Sequence, residues 1–95
     1  MFKINGEHWR ILFVSPDSYH LLKSDMTYAI GVCDDKAKVI YIANNLSRTL
    51  ARKVLCHEVT HAAMFSYNVE LTLDQEELLA DLVASYGEEI IKITN

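Results

Sequence analysis

His57-Glu58-Val59-Thr60-His61 is the densest chemistry in this chain. Residues four apart on a helix sit one above the other, so a helical setting brings the two imidazoles to one point in space. Zinc accepts histidine nitrogens at about 2.0–2.1 Å, a span that such a pair covers without strain. Glu58 lies between them but is shifted around the helix. From there it can serve as a base at the metal's open position without being a ligand. Two histidine ligands with a glutamate base describe metal-assisted hydrolysis, so the motif points to a reaction as well as an ion.

Such a site needs a helix, a third protein ligand and partners for the ligand histidines. The helix is legible. Ser47 is a good N-cap residue after the Asn44-Asn45-Leu46 loop, and no Gly or Pro follows before Ser66. Leu50, Ala51, Val54, Leu55, Val59, Ala62 and Phe65 recur at helical spacing, and Asn68 marks a stop.

The third ligand is expected downstream. Leu78, Leu79, Leu82, Val83, Tyr86, Ile90 and Ile91 form a second helical pattern after a short polar connector. Near its start Glu77 and Asp81 stand four apart on one face. Glu77 can complete a His-His-Glu set that leaves a fourth position for water, and Asp81 can accept the other ring N–H of a ligand histidine. Two competing readings exist for Glu77. Asp74-Gln75-Glu76-Glu77 fits a capping box with Leu73 and Leu78 as its staple. Alternatively, Glu77, Asp81 and Glu88 form a solvated face opposite the Leu78/Leu82/Tyr86 stripe. Ala80 and Ala84 border the carboxylates and would let another helix come close, while Thr72 can cap in place of Asp74. Glu76 is the alternative third ligand.

HExxH at residues 57–61 followed by Glu77-x-x-Ala80-Asp81 resembles the gluzincin metallopeptidases, whose second helix carries E-x-x-[S/A]-[D/N]. In size the likeness is to the minimal, ImmA/IrrE-type members, including small proteins encoded by phages and mobile elements. The resemblance covers most of the chain. It implies Zn2+ as cofactor, with His57, His61 and Glu77 as ligands, Glu58 as general base and Asp81 behind a ligand histidine. It also implies a protein or peptide substrate, held by an edge strand around Tyr28-Ala29-Ile30-Gly31-Val32. Gly31 there permits close backbone approach of the peptide, or is a bulge or a packing accommodation. The chain departs from larger members by ending soon after the second helix. The His or Tyr that stabilises their transition state has no clear counterpart, with Tyr28, Tyr67 and Tyr86 the candidates.

Other elements must position this site. Lys3 to Val14 reads as a strand interrupted by a turn at Asn5-Gly6. Ser15-Pro16-Asp17 ends it and opens a short helix from Asp17 to Lys23, with Ser15 as cap. Thr27–Cys33 and Lys38–Ala43 flank a hairpin turn. The expected fold is α+β, a small, mostly antiparallel three-stranded sheet packed on the HExxH helix and a long C-terminal helix, as one domain over residues 1–95.

Composition sets limits. Over 95 residues, 51% hydrophobic content supports one marginal core, to which bound metal would add stability. The net charge of −4 argues against a nucleic-acid partner. Cys33 and Cys56 are expected as reduced thiols in or near the core. No signal-like start and no run near the roughly 20 apolar residues of a membrane span is present, which points to the cytoplasm, that of the host cell for a phage-encoded protein. The function read from these residues is a zinc-dependent endopeptidase acting on an intracellular protein. The alternative is a silent or latent zinc-binding interaction module of the same fold. The presence of Glu58 favours catalysis, because a structural zinc has no use for a base.

Overall fold

A computed structural model describes residues 1–95. Asn5 and Gly6 adopt positive φ angles of 49° and 78°, the two-residue turn whose twist suits a tight hairpin. They join β1 (Phe2–Ile4) to β2 (Glu7–Val14), so the first long strand expected from sequence is two strands. β3 (Gly31–Asp34) and β4 (Val39–Ala43) follow, then α1 (Arg48–Ser66) and α2 (Leu73–Thr94).

The sheet corrects the three-stranded, mostly antiparallel expectation. It has four strands in the order β1-β2-β4-β3. β4 lies between β2, to which it is parallel, and β3, to which it is antiparallel. The reason is visible in Val39-Ile40-Tyr41-Ile42-Ala43, every residue of which is buried. An apolar run without alternation belongs in the middle of a sheet covered on both faces. Ile40 and Ile42 join Trp9 against Val54 and Ala62 of α1. Val39, Tyr41 and Ala43 face the other way and are covered by Leu21.

Leu21 belongs to a 3-10 turn, Tyr19–Leu21, capped by Ser18. The expected helix from Asp17 with a Ser15 cap is therefore shorter and starts later. Ser15 instead hydrogen-bonds Asp17. The expected strand from Thr27 is also shorter. β4 ends at Ala43, and the ladder starts at Gly31 with Ile42; upstream of it, Ile30 O still accepts from Ala43 N–H and Tyr28 bridges Leu22. The residues before Gly31 form an arm tied to the 3-10 turn by Ala29 N–H donating to Leu21 O.

α1 begins where the sequence indicated, with the Ser47 hydroxyl accepting from Leu50 N–H. Asn68, at φ 53°, terminates it. Asn68 N–H donates to Phe65 O and Val69 N–H to Met64 O, the paired bonds of a Schellman stop. Ser66 anchors this end to the first hairpin, accepting from Trp9 Nε1–H at 3.2 Å and, through its carbonyl, from Asn5 Nδ2 at 3.0 Å.

α2 docks on α1 and makes no comparable contact with the sheet. Its orientation inverts the simple amphipathic expectation. Ala80, between the carboxylates, is fully buried, while Leu78, Leu82 and Tyr86 are exposed. Thr72, not Asp74, caps the helix, with Gln75 completing a reciprocal box. That leaves Glu76 and Glu77 free to face α1. Replacing Thr72 with Ala should therefore cost about 1 kcal/mol in urea denaturation of the metal-free protein. Asp74→Ala should cost only the macrodipole contribution of about 0.5 kcal/mol.

Candidate metal centre and cleft

α1 and α2 bring the motif residues together from both sides. His57 Nε2 and His61 Nε2 lie 3.1 Å apart. Glu77 reaches both, with carboxylate oxygens 3.2 Å from His57 Nε2 and 3.0 Å from His61 Nε2. One atom from each of the three residues fits within a 4.8 Å cluster. Nitrogens bound tetrahedrally at about 2.0–2.1 Å would lie roughly 3.3 Å apart, close to the separation seen.

The far side of each ring explains why the Nε2 atoms converge. His57 Nδ1–H donates to Asp81 at 3.0 Å, and His61 Nδ1–H donates to Glu76 at 2.7 Å. A carboxylate can only accept, so each contact places the proton on Nδ1. In a neutral ring the Nε2 lone pair is then free. With both rings neutral, two such lone pairs and the Glu77 oxygens crowd one point without a proton donor between them. A divalent cation with imidazole and carboxylate preference fits that donor set.

Glu76 is therefore found as the partner of His61, whereas the sequence offered it only as a substitute for Glu77. A signal was available. Glu76, Ala80 and Ala84 share one i, i+4 ridge of α2, and the small residues mark where α1 comes close. Asp81 stands behind His57 but is mostly exposed, whereas Glu76 is largely covered.

Glu58 packs against Gly31 of β3 beside this cluster and is only 8% exposed. Burial holds its carboxyl above the usual range, against the lowering influence of His57 and His61. Gly31 is the reason it fits. A Cβ at residue 31 would come 2.5 Å from Val54 Cγ1 and 3.2 Å from both Cγ and Oε2 of Glu58. Gly31 is thus a packing accommodation for Val54 and Glu58, the alternative to a role in peptide approach. Nearby, burial and the charge of Glu58 push the Cys33 thiol up to about 12, so it remains protonated. Cys33 and Cys56 are both free.

A groove of about 520 Å³ opens beside the cluster. Tyr28, Ala29, Ile30 and Gly31 wall it together with Leu50, Lys53 and Val54 of α1, and His57, Glu58 and Asp81 reach it. The residues expected to hold substrate do line one cleft, although Tyr28–Ile30 belong to the arm and only Gly31 to β3. β3 is an edge strand of the sheet. Of the three tyrosines considered, Tyr28 alone borders the groove. No helix is long and apolar enough to cross a membrane.

Residues 10–86 match the family model Peptidase_M78, described as the IrrE N-terminal-like domain. No curated protein and no solved structure matches the chain.

Removing the carboxylate behind either ring should weaken metal binding about 10–100-fold, measured by competition with a chromophoric chelator. Glu76→Ala should lie at the upper end and Asp81→Ala at the lower, following their burial. Glu58 generates a pH prediction for the metal-free protein. A carboxyl with a raised folded-state pKa costs stability when ionised, and that cost disappears below its unfolded-state pKa. Glu58→Gln should consequently raise the melting temperature at pH 7.5, with the gain shrinking as pH falls through the folded pKa toward 4.5.

Proposed function

Since the chain belongs to the IrrE N-terminal-like (Peptidase_M78) family, we propose that it is a zinc-dependent endopeptidase of the HExxH gluzincin type. The observation that carries this reading is the division of labour around the two histidines. Their Nδ1 atoms are committed to Asp81 and Glu76, their Nε2 atoms converge with Glu77, and buried Glu58 stands beside them on the groove. His57, His61 and Glu77 would hold the metal.

Zinc, when bound, supplies Lewis acidity to a substrate carbonyl and lowers the pKa of water. The protein supplies the proton path and the cleft. Glu58 takes a proton from the attacking water as its oxygen bonds to the carbonyl carbon. The same proton passes to the amide nitrogen as the C–N bond breaks. A carboxyl raised by burial is better matched to both steps than an ordinary glutamate, because its proton is less costly to hold between them. The backbone of the peptide would run along the 28–31 arm and the β3 edge, in the manner of an added strand. The apolar lining from Ile30, Leu50 and Val54 would exclude competing water.

A proteome-derived peptide mixture incubated with zinc-loaded protein tests the reading, with new N-termini counted by mass spectrometry. Wild type should produce them. Glu58→Gln should bind zinc equally and cut about 10²–10⁴-fold more slowly. His57→Ala should lose both metal and cutting. Zinc-loaded wild type that cuts nothing would favour the silent interaction module, in which the metal is structural.

A further inference from the structure

We infer that Lys53 selects a carboxylate on the substrate, one or two residues from the bond to be cut. The inference rests on the peptide-cleft reading above and adds a substrate class to it. The groove contains three charged side chains besides the metal ligands: Lys53, Glu58 and Asp81. Two are already committed. Glu58 is buried, and Asp81 accepts from His57. Lys53 is the only cation lining the groove. It is exposed and takes part in none of the ion pairs. Its neighbour Arg52, by contrast, is occupied by Glu88 at 3.3 Å.

Position gives the selection a register. Lys53 precedes His57 by four residues on α1, a rise of about 6 Å. An extended peptide advances about 3.3 Å per residue. A chain lying in the groove therefore brings a side chain one or two residues from the scissile bond opposite Lys53. Around it the lining is apolar, with Leu50, Val54, Ile30 and Ala84. An ammonium in such surroundings disfavours a second cation and favours an anion. Two sources of that anion share the chemistry: an Asp or Glu side chain, and the free carboxylate of a chain end.

The test uses full-length, zinc-loaded Glu58→Gln protein, so that bound peptides survive. It captures peptides from a randomised synthetic library and compares Lys53 with Lys53→Ala and Lys53→Glu. With Lys53, Asp and Glu should be enriched about fivefold over Asn and Gln at one position, as expected for a partly exposed ion pair. Lys53→Ala should flatten this preference, and Lys53→Glu should replace it with Lys and Arg. Zinc content should not change in either. Running the library with amidated C-termini separates the sources. Persistence of a Lys53-dependent preference assigns a side-chain acid, and its loss on amidation assigns a terminal carboxylate, which would make the cut one near a chain end in place of an internal one. Either result upholds the inference. An acidic preference unmoved by both substitutions, or no peptide captured by any form, overturns it. Acid-selective capture that wild-type protein fails to cut would leave the inference standing and remove the peptidase reading instead.

Discussion

Everything in this structure depends on a polar helix–helix interface. α2 is attached through α1, and its inward face carries Glu76, Glu77, Asp81 and a buried alanine instead of its leucines. Drawing charge into a helix interface is costly unless each group finds a partner, most of all for the largely covered Glu76. The partners are the two imidazoles, and each ring is fixed from both sides. A divalent cation would complete the set, neutralising the three acceptors that converge. A bound divalent cation would therefore favour the docked form of α2 by mass action. The α1–sheet core, built on Trp9, Ile40, Ile42, Val54 and Ala62, provides the fixed side of that interface.

How much of this was legible in the sequence follows the range of the interactions. α1 could be read to its cap, because a serine N-cap and an αL-tolerant asparagine act through local hydrogen bonds. HExxH spacing likewise places His57 and His61 on one helix face by helical geometry alone. The strand order could not be read from local signals. Asn5-Gly6 was recognised as a turn, but whether a turn interrupts one strand or joins two depends on what pairs beside it. The non-alternating Val39–Ala43 run was the available hint that β4 is central. The direction in which α2 faces was also non-local. Hydrophobic periodicity assigns the Leu78/Leu82/Tyr86 stripe to a core, whereas the structure exposes it. The small residues Ala80 and Ala84 were the better guide, because close approach decides which face a neighbouring helix can cover. Glu76 escaped notice as the His61 partner for the same reason.

Gly31 shows how the sheet participates in the chemistry. The first residue of the edge strand stands against Val54 and Glu58 without room for a side chain. That proximity removes water from Glu58 and raises its pKa. It also sets the arm before β3 beside the histidines. The groove thus has residues 28–31 on one side and α1 on the other, an arrangement that suits an extended chain. Two features that the sequence presents separately, a glycine after an aromatic-apolar stretch and a glutamate between two histidines, meet in one contact.

X-ray absorption at the zinc K-edge on the zinc-loaded full chain reads the donor set of His57, His61 and Glu77. The expected spectrum is that of a four-coordinate site of nitrogen and oxygen at about 2.0–2.2 Å, with the multiple-scattering signature of two imidazoles and no sulfur. Sulfur at about 2.3 Å would place Cys33 or Cys56 on the metal. That result, or a spectrum without imidazole, would contradict the assignment of His57, His61 and Glu77.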